Sequence, residues 1–371
     1  MKLILALAAL AAAHPFERRQ SELSSVLAEF ARQGLQEKKP FKKDISASSF
    51  PRPGAKKAVI WYGPYKIRAA NYGMSMDPAG TAWTYLAGDF PKDVTVLQVE
   101  SEIVYADGTR AQITNGLYNH HLAFVDSAKG APPMAQCLNG VKGAAPPTSV
   151  FMGGSEDAGR GVYATKDPKL ASGYYIGKAD TIVMSGDIVN YANETKTVYT
   201  KSTIEYLEGR PAGTLDVSIQ LISVTDCDGA FAVVDVPKNA TQFTVASKEM
   251  QIVQDGYMVT ARGHLHDGGV NVTAIINGKS ACSSAAVYGA GAATHGHGGD
   301  AKADTKAPWD TISEMTYCEE GVKLSKGDKL SLVAHYDVVK HPSPGGSKLE
   351  ARWPRRWRCC GRSQLRYLYD K

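Results

Sequence analysis

The stretch Gly256-Tyr257-Met258-Val259-Thr260-Ala261-Arg262-Gly263-His264-Leu265-His266-Asp267-Gly268-Gly269-Val270-Asn271-Val272-Thr273-Ala274-Ile275-Ile276 reads as a strand, a glycine turn and a second strand. Val, Ile, Thr and Tyr fill the two runs, and Asp267-Gly268-Gly269 supplies the turn formers between them. Residues i and i+2 of a strand point to one face, so His264 and His266 present two imidazoles to the same side. Such a pair is either a structural feature of an exposed strand or half of a metal site.

Working outward, the same period of two governs most of the chain from about residue 58. Residues 94–105, 195–206, 214–224, 251–262, 269–276 and 329–338 alternate or run apolar, separated by Ala106-Asp107-Gly108, Gly209-Arg210-Pro211 and Asp226-Cys227-Asp228-Gly229. Short strands, Gly-rich turns and almost no helical period predict an all-β protein of antiparallel sandwiches. The length suffices for two of them in tandem, at 58–208 and 209–350, jointed near 208–213. Residues 21–36 show helical spacing, and the Lys- and Pro-rich stretch after them predicts an irregular N-terminal arm or pro-segment over 14–57. Residues 289–306 read as a low-complexity loop inserted between strands, carrying His295 and His297. The segment 351–371, with two Trp, six Arg and two adjacent Cys, matches no regular element.

The chain has 371 residues, 43% apolar and 21% charged, with a formal charge of +5. That charge is local. The first nineteen residues hold three basic groups and one acid, the last twenty-one hold seven and one, and the stretch between is slightly acidic. No part of this body clusters Lys and Arg with stacking aromatics, so a nucleic-acid partner is excluded. Lys2 followed by the eleven apolar residues Leu3 to Ala13 predicts a secretory signal over 1–13, too short to span a bilayer. No later run is long enough for a membrane span, which predicts a soluble, secreted protein, extracellular or in a cell wall. Export permits disulfides, with Cys282 and Cys318, which flank the loop insertion, as the preferred pair; Cys137 and Cys227 remain, their pairing open. It also opens the sequons at Asn193, Asn239 and Asn271 to glycosylation. Gly-x-Ser-x-Gly, His-Glu-x-x-His, Gly-x-x-x-x-Gly-Lys and Gly-x-Gly-x-x-Gly are all absent, which removes the usual support for serine hydrolases, zincins and nucleotide-dependent enzymes.

A second histidine pair, His120-His121, follows Thr114-Asn115-Gly116-Leu117-Tyr118-Asn119. Neighbours on a regular strand face opposite ways, so both can reach one ion only at a strand end or a bulge. One pair in each predicted domain points to metal, and imidazole suits copper, zinc, iron or nickel.

The order Asn-His-His-Leu, then Gly-His-Leu-His-Asp-Gly-Gly, then the strand Gly327-Asp328-Lys329-Leu330-Ser331-Leu332 resembles the copper type II, ascorbate-dependent monooxygenases, and more nearly their relatives in the stress-up-regulated nodulin family. The resemblance spans roughly residues 60 to 340. It implies two jelly-roll domains with one copper each, ascorbate as reductant and hydroxylation of a substrate by dioxygen. It assigns His120 and His121 to an electron-transfer copper, and His264 and His266 to an oxygen-activating one. Two departures go with it. Asn190 in Asp187-Ile188-Val189-Asn190-Tyr191 stands where the first site's third histidine belongs. No Met follows Met315, so the thioether of the second site is missing from its place, with Met315 itself as fallback. Trp has the single codon TGG, and Arg codons ending in A before Trp353 and Trp357 would hide Met-x-x-x-Met in another frame, so the tail is expected to be frameshifted. His335 reads as a sheet residue rather than a ligand. Two functions follow as expectations: a secreted copper monooxygenase, or a non-catalytic metal-binding or cell-surface protein on the same scaffold.

Overall fold

The computed structural model describes residues 35–70, 81–112, 115–130, 133–141, 148–156, 159–165, 170–229, 234–237, 239–293, 309–342, 358–359 and 361–369. The expected signal, the helical stretch before residue 35, and His295 and His297 lie outside the described residues.

The fold is all-β, built of mostly antiparallel sheets, and no α-helix occurs among the described residues. A five-stranded sheet runs in the order Glu37–Lys38, Thr81–Ala87, Ile182–Asn190, Leu117–Gly130, Thr148–Gly154. Its inward side chains, among them Leu117, Phe124, Phe151 and Met184, share one buried cluster with Ile60, Tyr62, Val96, Val198 and Ile204 of a second sheet. In that second sheet Lys42–Ala47, Lys56–Ile67, Lys196–Glu208, Val94–Val104 and Ser172–Ile176 lie side by side. Alternation explains the layering: in Lys56–Ile67, Ala58, Ile60 and Tyr62 are buried while Lys57 and Val59 are less so.

The expected arm over 14–57 is corrected in part, because Lys42–Ala47 pairs antiparallel with Lys56–Ile67. All six of its residues are exposed, so it is an edge strand held by backbone bonds, with no hydrophobic period for sequence reading to find.

Ser172–Ile176 pairs in parallel with Leu215–Ser223, which carries the sheet on into the C-terminal half. There a second buried cluster gathers Ile222, Met258, Ala261, Leu265, Val272, Leu332 and Tyr336. Gly256–Leu265 belongs to the sheet that runs on from Leu215–Ser223, and Gly269–Ile276, Lys279–Ala293 and Lys329–Asp337 to the other layer. The segment 134–137, early in the chain, also belongs to this cluster: Met134 and Cys137 are buried in it, Ala135–Cys137 pairs with Met250–Ile252, and Cys137 is bonded to Cys227. A second disulfide joins Cys282 to Cys318. The tail, expected to match no regular element, supplies the strand Gly361–Tyr369 between Leu215–Ser223 and Gly256–Leu265. Tyr367 and Tyr369 are strand formers at alternate positions, but Arg362-Ser363-Gln364 before them show no apolar alternation to read.

Candidate metal centre

The strand Leu117–Gly130 carries the first histidine pair, and its pairing with Ile182–Asn190 is broken at one place. His121 lies opposite Asp187, whereas the next pair along is Asn119 with Ile188. His120 is therefore the extra residue of a β-bulge, the irregularity that two adjacent histidines need in order to share a face. Inward positions on either side of the bulge confirm the change of phase: Leu117 is buried before it, Leu122 and Phe124 after it. The backbone N–H of Asn119 donates to the buried carboxylate of Glu156 at 3.3 Å, which anchors the strand beside the bulge.

The bulge brings the two rings to 4.1 Å between centroids, and Tyr118 stacks loosely on His120 at 6.1 Å. Asp187 completes the group. Its Oδ2 lies 3.0 Å from His120 Nδ1, and one donor atom from each of His120, His121 and Asp187 falls within 4.8 Å of the other two. Asp187 reaches this outer face because Met184 and Ile188 on the same strand point into the core. The glycine before it matters too: a Cβ on Gly186 would lie 2.3 Å from the Trp83 ring, so the core packs hard against the strand just behind Asp187.

By the resemblance, Asn190 stands at the position of the first site's missing third histidine, and its own contacts are those of a turn. Asn190 is buried, its Nδ2 donating to the Glu194 carbonyl at 2.7 Å and its Oδ1 accepting from the Ala192 N–H at 2.9 Å. It closes the turn after the strand. Asp187, three residues earlier, was missed; the signal that finds it is the cross-strand register with His121, which no local motif contains.

The second pair follows the regular pattern. His264 and His266 flank the buried Leu265, both half-buried, with ring centroids 5.4 Å apart and planes at 90°. The turn behind them closes with the Gly269 N–H donating to the His266 carbonyl at 2.9 Å, and Gly268 adopts φ +89°, a left-handed conformation suited to glycine. Met315 is not with them. It is fully buried in the second core, and its Cε lies 2.9 Å from where a Cβ of Gly263 would stand. Gly263 faces inward, His264 outward, so the fallback thioether sits on the wrong side of the strand. His335 is exposed and shares a hydrogen bond with Thr244 Oγ1 at 3.0 Å, as a sheet residue does. Of the three sequons, Asn193 and Asn239 are exposed and Asn271 is half-buried within its strand.

The donors fit copper to different degrees. Two imidazoles and a carboxylate suit a first-row divalent ion at the first position, while the second offers two imidazoles.

No known family profile matches the chain. It is 24% identical over 245 residues to the probable copper-dependent oxygenase clz3 of Cochliobolus lunatus, covering 66% of this chain and 71% of that protein. It is also 24% identical over 254 residues to the probable copper-dependent oxygenase M1 of a Phoma species, covering 67% of this chain but only 58% of that protein. The chain is distantly similar to copper-dependent oxygenases. Among solved structures, a peptide-N(4)-(N-acetyl-β-D-glucosaminyl) asparagine amidase superposes over 85% of this chain and 97% of its own at 9% identity and a TM-score of 0.37, too loose a match to bear on the fold.

Proposed function

We propose that the protein is a secreted copper protein of the ascorbate-dependent monooxygenase type, akin to the stress-up-regulated nodulin relatives and built on two jelly rolls. His120, His121 and Asp187 would hold one metal, and His264 and His266 a second. The observation that carries this reading is the bulge at His120, which gathers two imidazoles and a carboxylate on one sheet face in a chain whose relatives are copper-dependent oxygenases. Copper, when bound, supplies one-electron redox and dioxygen chemistry. The chain's own groups orient and hold: without metal, the Nδ1–H of His120 donates to Asp187 and fixes that ring. Two disulfides, and no helix long and apolar enough to cross a membrane among the described residues, are compatible with an extracellular protein.

A second reading, a non-catalytic metal-binding protein, is favoured by one observation: among the described residues, only the first pair belongs to a group of three His, Cys, Asp or Glu donors, and Met315 faces the core. Copper content per chain, followed by ascorbate-dependent oxygen consumption in wild type and His264→Ala, separates the two. The monooxygenase reading expects two coppers and oxygen uptake that His264→Ala abolishes. Copper without oxygen uptake supports the second reading, and no bound copper overturns both.

A further inference from the structure

We infer that the His120–His121–Asp187 cluster is a divalent-metal site that Asp187 turns away from Cu(I). The inference rests on reading this cluster as a metal site, and does not depend on oxygenase activity.

Three observations support it. The first is spacing. Zinc- or copper-type bonds to nitrogen and oxygen are about 2.0–2.1 Å, so two neighbouring ligands of one ion stand roughly 3 Å apart. His120 Nδ1 and Asp187 Oδ2 are 3.0 Å apart, so a metal can replace the proton now shared between them with little movement of either group. The second is chemistry. Imidazoles alone serve either copper charge state, but a carboxylate is a hard anionic oxygen that gains more from a doubly charged ion than from soft Cu(I). The third is rigidity. Asp187 and His121 are direct cross-strand partners, and Gly186, packed under Trp83, holds the backbone between them and the core. Donors on paired strands keep their spacing better than donors on loops.

The test uses the full chain with His264→Ala and His266→Ala combined, so that metal reports on the first cluster. Affinities for Cu(II) and Zn(II) are measured by chelator competition, and for Cu(I) anaerobically against a chromophoric Cu(I) chelator. Asp187→Asn, nearly the same shape at a half-exposed position, is expected to weaken Cu(II) and Zn(II) about 10–100-fold while leaving Cu(I) unchanged. Asp187→His is expected to raise Cu(I) affinity. Circular dichroism and thermal melts check that each variant is folded. Equal loss of Cu(I) and Cu(II) in Asp187→Asn, or no loss of either, overturns the inference while leaving the metal site standing. If no metal binds, or if His120→Ala does not change what binds, the metal reading of the cluster falls with it.

Discussion

The two histidine pairs are placed by opposite devices. In the N-terminal half, adjacent residues share a face because His120 is bulged out of its ladder, and a carboxylate on the neighbouring strand joins them. In the C-terminal half, His264 lies near the end of Gly256–Leu265 and His266 just beyond it, on either side of the buried Leu265, and the pairing shows no register shift there. Stabilisation differs as well. Both disulfides lie in or on the C-terminal cluster, while each half has its own buried apolar cluster and a buried carboxylate, Asp126 in one and Asp226 in the other. One pair is gathered by a register break and a cross-strand carboxylate, the other lies where the strand pairing shows no register shift.

The largest expected effect breaks a cross-link. Cys137 and Cys227 are 90 residues apart and Cys282 and Cys318 are 36 apart, so chain-entropy arguments assign losses of about 4.5 and about 4 kcal/mol to Cys137→Ser and Cys282→Ser. Urea unfolding under oxidising conditions measures both. The comparison predicts that Cys137→Ser destabilises the C-terminal half while metal binding at His120, His121 and Asp187 persists. Simultaneous loss of the two would show a single cooperative unit and would erase the contrast.

Each half also has a glycine beside a site residue whose missing Cβ is occupied by the core. A Cβ on Gly186 meets the Trp83 ring at 2.3 Å, and one on Gly263 meets Val272 Cγ1 at 2.1 Å and Met315 Cε at 2.9 Å. Overpacking of this kind costs about 1–3 kcal/mol. Both Gly186→Ala and Gly263→Ala are expected at the upper end, because the indole stacked on Tyr65 at 4.2 Å and the stiff, buried Val272 side chain each stand where the new methyl would go. Thermal denaturation ranks the two. A clearly smaller cost at Gly263 would mean that the strand carrying Val272 gives way where the one carrying Trp83 does not.

How much of this was legible follows from the same contrast. For the C-terminal pair the sequence supplies the strand that places His264 on the side opposite Leu265, and nothing more. For His120-His121 the sequence supplied the condition, a strand end or a bulge, but not its fulfilment, which depends on where Ile182–Asn190 pairs. Asp187 was invisible for that reason: it is 67 residues from His120 and becomes a neighbour only through register. The local motif around Asn190 marks a strand position only, and motifs do not encode which face of a paired strand a side chain takes. The edge strand Lys42–Ala47 escaped because it buries nothing, so it leaves no hydrophobic pattern.

The smallest effect probes the charge side of the contrast. Asp126, on the same strand as His120 and His121, is fully buried, and its carboxyl is pushed up to about 6, first by burial and then by the neighbouring Asp180, against the opposing pull of Lys129. Tyr174 Oη donates to its Oδ2 at 3.2 Å and the Ala128 N–H to its Oδ1 at 3.1 Å. A carboxyl with a folded pKa raised above the ordinary 3.8 binds more protons in the native state than in the unfolded one. Its contribution to stability is then fully present below about pH 4 and is lost as the pH rises through about 6. Asp126→Asn removes the ionisation and keeps the shape. At pH 4 the variant should match wild type; at pH 8 it should be more stable by on the order of 1–2 kcal/mol, less than the full shift implies because Lys129 loses a partner. Urea midpoints at the two pH values measure the difference. A variant equally destabilised at both would mean that Asp126 acts through its hydrogen bonds to Tyr174 and Ala128 rather than through its charge.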